Sequence, residues 1–282
     1  MKKVLGLIGS PRKLGNCEIM VKEVFKNLNG NWEYELIRLT DLKILHCTAC
    51  FVCTEQGKSC NLEDDFDFLL EKIKESEAVI ISAPCYSLGP SGVIKLIQDR
   101  LLLMHTQDKS QFRKPCLSIA VSGQESWSGY SKSALAVTAH LFGFRLLDSF
   151  LAIGANPAEV LFNKKNLEWT KEAARLIKNN EVNTNLPGNF CPACFSDIFK
   201  IEENSEIRCT MCDLKGKIVS SQGKMKIEFN DFKDHRFTEK SLKYHYENWL
   251  SFKKEEFIKE RLKLKELRIP YKNIGNWLTP NN

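Results

Sequence analysis

Lys3-Val4-Leu5-Gly6-Leu7-Ile8, followed by Gly9-Ser10-Pro11-Arg12-Lys13-Leu14-Gly15-Asn16, is the stretch whose reading decides the fold. A short apolar run that stops at a glycine reads as a buried strand. The Gly-, Ser-, Pro- and Asn-containing segment after it reads as a tight loop. From Cys17 to Leu28 the residues Ile19, Met20, Val21, Val24, Phe25 and Leu28 recur at helical spacing, so a helix follows the loop. Strand, loop and helix in that order make the first unit of a β-α repeat.

Working outward, residues 33–39 alternate as a strand does, and 64–74 form an amphipathic helix with Asp64-Asp65 in its first turn. Residues 78–83 are a buried strand that ends at Pro84, with a helix over about 91–103. The strands 115–122 and 145–153 and the helices 131–142 and 164–179 complete five units. Such alternation predicts an α/β fold: a five-stranded parallel sheet with helices on both faces. Ligands of such sheets sit at the carboxyl ends of the strands. The loops leaving the first, third and fourth strands are polar and rich in Gly and Ser, and the loop leaving the second carries cysteines.

The 282 residues are 43% hydrophobic and 27% charged, ordinary for a globular chain with room for more than one domain. A net charge of +6 without a basic stripe gives no reason to expect nucleic acid as a partner. No apolar run approaches the roughly 18 residues that span a bilayer. Met-Lys-Lys passes straight into a strand, without the layout of a signal peptide. A cytoplasmic location with no membrane contact is the expectation, and eleven cysteines there should be reduced thiols.

Eight of those thiols fall in two groups. Cys47, Cys50, Cys53 and Cys60 form a C-x2-C-x2-C-x6-C run, and compact thiolate runs of this kind serve iron–sulfur clusters. A structural zinc site or redox-reactive thiols compete with that reading, although zinc ligands more often come as separated pairs. Cys191, Cys194, Cys209 and Cys212 form C-x2-C-x14-C-x2-C, the spacing of a zinc ribbon, with a rubredoxin-like iron site as the alternative. Cys17, Cys85 and Cys116 stand alone and read as small core residues.

The first loop, with Ser10, Arg12, Gly15 and Asn16, has what a phosphate needs: amides at a helix N-terminus, a hydroxyl and a cation. It is neither G-x-G-x-x-G nor a P-loop, and an ordinary turn is the competing reading. Pro84-Cys85-Tyr86-Ser87 and Gly123 to Tyr130, with Trp127, offer aromatic and small polar groups that suit a flat heterocycle.

Together these features resemble the flavodoxin-like NADPH-dependent FMN reductase superfamily, and within it the iron–sulfur flavoprotein family. The residues that carry the resemblance are Gly9-Ser10-Pro11-Arg12 with Gly15-Asn16, the four-cysteine run followed by Asp64-Asp65, Pro84-x-Tyr86, and Lys95-x-x-x-Asp99-Arg100. The likeness covers residues 1–180. It implies FMN held by Ser10, Arg12, Gly15, Asn16, Cys17, Pro84, Cys85, Tyr86, Ser87, Gly123, Trp127 and Tyr130. It also implies a [4Fe–4S] cluster on Cys47, Cys50, Cys53 and Cys60, and a homodimer or homotetramer with FMN near a subunit interface. The family carries Ser or Thr where this chain has Cys17, and a thiol is a poor donor for that contact.

On this resemblance the chain is an electron-transfer flavoprotein between a ferredoxin-like donor and a small acceptor such as dioxygen or peroxide. Two rivals stand beside it: a cluster-free NAD(P)H-dependent FMN or quinone reductase, and a redox-sensing or scaffold protein whose zinc ribbon binds a partner. No residue is required as an acid or base, so no catalytic side chain is expected. Residues 181–189 read as a linker, 190–230 as a zinc-ribbon-like module and 231–282 as a long charged helix from about Thr238 to Leu267 with an irregular tail.

Overall fold

The structure, a computed structural model, describes residues 2–55, 58–105, 109–221, 223–272, 274–275 and 278. They fall into two compact units, Met1–Phe237 and Thr238–Asn282.

The first unit is built on a parallel sheet of β1 (Lys2–Ile8), β2 (Trp32–Arg38), β3 (Ala78–Tyr86), β5 (Pro115–Ser122) and β6 (Arg145–Ile153), in the order β2-β1-β3-β5-β6. A short β4 (Gly89–Pro90) folds back antiparallel on the end of β3. On one face lie α1 (Asn16–Asn27) and α5 (Lys164–Asn179), packed through Met20, Val21, Val24, Trp169 and Ile177. On the other lie α2 (Phe66–Glu75), α3 (Gly92–Arg100) and α4 (Ser131–Phe142), packed through Phe66, Ile73, Ile94, Leu135 and Phe142. β1 and β3 show apolar side chains to both faces because both faces are covered, which is why each reads as one apolar run.

Two departures from the sequence reading bear on the site. β3 runs on through Tyr86, because Cys85 and Tyr86 leave the parallel sheet and pair with Pro90 and Gly89. The turn of that hairpin puts Ser87 and Leu88 at φ 48° and 70°, the left-handed pair of a type I′ turn. Ser-Leu lacks the glycine that would have marked it. The expected helix over 91–103 ends at Arg100 and continues as a 3-10 turn, Leu101–His105.

The four-cysteine module follows in the same unit, as an antiparallel sheet β10-β9-β8-β7 made of β7 (Phe199–Ile201), β8 (Glu206–Cys209), β9 (Lys215–Ser221) and β10 (Lys224–Phe229). In the second unit the expected long helix is interrupted. α6 (Glu239–Tyr244), capped by the Thr238 hydroxyl, passes through a π-helical turn, His245–Leu250, into α7 (Ser251–Arg268). Pro270 and Tyr271 lie in a 3-10 turn, while Trp277 and Pro280 of the expected tail lie outside the described residues. No described helix is long and apolar enough to cross a membrane.

Candidate functional site

The parallel order brings the loops after β1, β3, β5 and β6 to one edge of the sheet, and hydrogen bonds tie them together there. Gly9 N–H donates to Ser82 O at 2.7 Å, and the Ser91 hydroxyl donates to Gly9 O at 2.6 Å. Asn16 Nδ2 donates to Gly154 O at 2.9 Å, and Gly154 N–H donates to Ser122 O at 2.9 Å. The Cys85 thiol donates to the carbonyls of Trp127 and Ser128 at 3.3 Å, and Tyr130 N–H to Leu88 O at 2.8 Å.

The first loop takes its shape from two residues that sequence reasoning missed. Arg38, at the end of β2, donates to Ser10 O at 2.9 Å and Arg12 O at 3.0 Å. Its other nitrogen pairs with Glu18, which also accepts from Leu14 N–H at 2.9 Å and from Lys22. Burial opposes the Glu18 charge, but Lys22, Arg38 and the Leu14 amide outweigh it and hold the carboxyl at about 2. Glu18 stands three positions after the N-cap, but Gly15 has no side chain to complete a capping box and the bond runs to Leu14 N–H, so no local signal marked it. The fifth loop was also missed: Glu159 accepts from the amides of Ala155 at 3.0 Å and Asn156 at 2.6 Å.

Of the sequence-predicted ligands, Ser10, Gly15 and Asn16 are buried where α1 begins, and Arg12 is exposed above them. α1 has no side-chain cap at Gly15, and the buried Asn16 Oδ1 has no hydrogen-bond partner. The uncapped amides at the start of α1 fit an anion such as the FMN phosphate, whereas Asn16 Oδ1, an acceptor, suits a hydroxyl of the ligand. Cys17 turns away into the α1 core beside Ser82, and burial pushes its thiol up to about 12. Pro84 and Cys85 are half-buried in the hairpin, while Tyr86, Ser87, Gly123, Trp127 and Tyr130 are exposed around the edge, Trp127 at 65%. Three open aromatic rings there have the shape and chemistry to cover a flat heterocycle.

The Cys47–Cys60 loop leaves β2 at the same edge but is anchored elsewhere. Asp65 Oδ2 accepts from Lys43 N–H and Asp64 Oδ2 from Leu45 N–H, both at 2.7 Å, which closes the base of the loop. Asp64 also pairs with Arg100 at 2.6 Å, the two side chains being 1% and 2% exposed. Arg100 ends α3, whose first residue follows the β3–β4 hairpin. Arg100 is therefore a helix length, about 14 Å along the axis, from the start of α3. Lys95 and Asp99 form an exposed ion pair on the same helix.

Within the loop, Ala49 and Phe51 take φ of 52° and 58°, curling the chain around Cys50. The Val52 amide and the Thr48 hydroxyl lower the Cys50 thiol. Burial raises Cys53, and so do the nearby Cys60, Cys47 and Cys50. Cys47, Cys50 and Cys60 therefore lie near Cys53.

Cys191, Cys194, Cys209 and Cys212 lie closer still. All are fully buried with their sulfurs within 4.8 Å of one another, the one such group of Cys, His, Asp or Glu among the described residues. Cys191 and Cys212 are 3.4 Å apart, and Cys194 and Cys209 3.5 Å. Each pair sits on the same turn: Phe195 N–H donates to Cys191 O and Asp213 N–H to Cys209 O, with Phe195 at φ 59° and Asp213 at φ 69°. Four buried thiols at this spacing fit one tetrahedral ion.

Comparison with known proteins agrees with this geometry. An iron–sulfur flavoprotein of Archaeoglobus fulgidus is 39% identical over 101 residues, 36% of this chain and 46% of that protein. One of Methanocaldococcus jannaschii is 38% identical over 99 residues, 35% of this chain and 51% of that protein. The chain therefore spans about half the length of these two relatives. The iron–sulfur flavoprotein of Methanosarcina thermophila is 28% identical over 165 residues, 56% of this chain and 84% of that protein. Among solved structures, a flavone reductase has the same fold over 99% of both chains, with a TM-score of 0.75 at 20% identity. The profile of the NADPH-dependent FMN reductase family matches residues 2–157, more than half of the sequence, and the chain belongs to that family.

Proposed function

We propose that the chain is an FMN- and [4Fe–4S]-containing electron-transfer flavoprotein that accepts electrons from a ferredoxin-like donor or NAD(P)H and reduces a small acceptor such as dioxygen or peroxide. The observation that carries the reading is the joined set of loops at the carboxyl edge of the sheet. FMN would be held there by Ser10, Arg12, Gly15 and Asn16 at its phosphate and by the Pro84–Ser87, Gly123, Trp127 and Tyr130 segments at its ring. Cys17 contributes through the helix backbone, because its thiol faces the core. FMN, when bound, exchanges one or two electrons and so matches a single-electron cluster to a two-electron acceptor.

Cys47, Cys50, Cys53 and Cys60 would hold the cluster. Their wider placing than the C-terminal tetrad favours a four-iron cube over a single ion. The anchoring of that loop at the far end of α3 supports a homodimer or homotetramer in which cluster and flavin of different subunits meet. Zinc is the proposed ion of Cys191, Cys194, Cys209 and Cys212, because both turns lack the glycines usual around rubredoxin-type iron. On this reading residues 1–180 are the flavin-binding domain, 181–189 a linker, 190–230 the zinc-ribbon-like module and 231–282 the helix and tail.

A second reading is an NAD(P)H-dependent reductase of a flat organic acceptor, a quinone or a flavonoid. The flavone reductase favours it, because that protein shares the fold over the whole chain with the C-terminal region included.

Anaerobic purification separates the two readings. Flavin bands with a broad shoulder at roughly 400 nm and about four irons per chain support the first. Flavin without iron supports the second, and a chain that takes up neither overturns both. A Cys50→Ala chain that keeps all its iron overturns the ligand assignment.

A further inference from the structure

The four-cysteine module does not hang from the flavin domain. It grips the helix that carries the ring loop. Phe195, two per cent exposed, stands in the left-handed position of the first cysteine turn, and its side chain belongs to the same core as Leu135, Ala136 and Ala139 of α4. Lys132, in the first turn of α4 and 7% exposed, places its ammonium 3.2 Å from Asp197 and 3.6 Å from the centre of the Phe190 ring. The next residue, Ser133, donates to Ser196 Oγ at 3.0 Å and to Asp197 Oδ1 at 3.3 Å. At the other end of α4, His140 stacks on Phe237 at 4.8 Å.

These side-chain partners of Lys132 and Ser133 come from residues 190–197, the segment that holds Cys191 and Cys194. That turn begins one residue after Tyr130, which accepts from Ala134 N–H and donates to Leu88 O across to the third loop. A short and continuous set of contacts therefore runs from the tetrad through Lys132 and Ser133 to the two loops that carry Trp127 and Tyr86. Four thiolates buried within 4.8 Å of one another repel. One divalent cation removes that repulsion and fixes both cysteine turns.

We infer that the ion-loaded cysteine tetrad is a clasp that positions the ring loop, with Lys132, Ser133 and Asp197 as its positioning residues, so that the metal state of the module sets flavin affinity. The inference rests on the reading of the carboxyl edge as the FMN site. It assigns no electron-carrying role to the tetrad, because zinc, its proposed ion, keeps one oxidation state.

The test uses the full chain with its cluster and zinc. Lys132→Met combined with Asp197→Asn cuts the grip while leaving all eight cysteine ligands, and Ser133→Ala is the milder second variant. Metal analysis should find zinc and iron unchanged in both. FMN titration, followed by quenching of flavin fluorescence, should show affinity about tenfold weaker in the double variant, the usual scale for residues that orient a site from behind. Hydrogen exchange over residues 123–134 should be faster in both variants. Wild-type FMN affinity together with wild-type exchange over 123–134 would overturn the clasp. The exchange measurement reports on the clasp even in a chain that binds no flavin, so failure of the flavin reading is told apart from failure of the clasp.

Discussion

Glu18 Oε2 lies 2.8 Å from Arg38 Nη2, and this pair is the frame on which the loop between β1 and α1 is folded. Arg38 reaches the Ser10 and Arg12 carbonyls with its other nitrogen, and Glu18 closes the loop through the Leu14 amide. Glu18→Gln leaves Arg38 with a neutral partner and weakens three contacts at once. A loss of about 2–3 kcal/mol in urea unfolding is expected, the scale of hydrogen bonds between charged groups. FMN affinity, read by fluorescence titration, should fall with it. Lys22→Met, which removes only the more exposed partner of Glu18, should cost under about 0.5 kcal/mol.

The same carboxylate sets an acid limit on stability. Its folded value of about 2 lies below the ordinary 4.5. A depressed carboxyl contributes stability that is fully present above the unfolded value and is lost as pH falls towards the folded one. Between about pH 4.5 and 2 the chain should lose on the order of 3 kcal/mol through this group, at about 1.4 kcal/mol per unit. Unfolding free energy measured across that window should fall more steeply for wild type than for Glu18→Gln. Equal slopes would remove Glu18 from the account.

What the sequence made legible, and what it hid, follows from the range of the interactions. β1, α1, β5, β6 and α5 are written in local periodicity, and the structure places them within a residue or two of the expected bounds. The second cysteine group was also legible, because a metal-binding turn is a local object and two turns at a fixed spacing make one site. Arg38, Ser91 and Gly154 were not legible. Each acts on the first loop from another strand or helix, and nothing near them in sequence marks the partner. The I′ turn at Ser87-Leu88 was hidden for a different reason: its left-handed residues carry side chains, and tertiary contacts with Trp127 and Tyr130 hold them there.

Gly129 is the tightest point of contact between those two loops. Its φ is 52°, and a Cβ built on it would stand 2.1 Å from the Leu88 carbonyl oxygen. That oxygen belongs to backbone and is already bonded to Tyr130 N–H, so it has little room to give. Gly129→Ala should push the hairpin and the ring loop apart and cost about 2–3 kcal/mol, the upper part of the range for a strained backbone position. Flavin binding should weaken with little change in iron content, because the cysteine loop is anchored at the other end of α3. Thermal unfolding and FMN titration on the same preparation check both statements.

Asp64 and Arg100 hold the cysteine loop by its base, and the two partners are not equivalent. Burial opposes the Asp64 charge, but Arg100 and the Leu45 and Phe66 amides keep its carboxyl below the usual range. Arg100 has less support: its Nε is buried without a partner, and its remaining contacts are Leu45 O, the Phe66 ring at 4.6 Å and the neighbouring Cys60. Asp64→Asn therefore strands a buried guanidinium and should cost about 3–5 kcal/mol, as removal of one member of a buried pair does. Arg100→Met leaves a carboxylate that two amides still satisfy, so its cost should be smaller. Both loosen the tie between Leu45 and residue 64, and iron bound per chain should fall further in Asp64→Asn, which leaves one oxygen where two accept from the Leu45 and Phe66 amides. FMN binding, placed a helix length away, should hold in the fraction that remains folded. If iron instead falls equally in the two variants, the guanidinium beside Cys60 matters to the cluster in its own right, and the carboxylate serves only to hold it there.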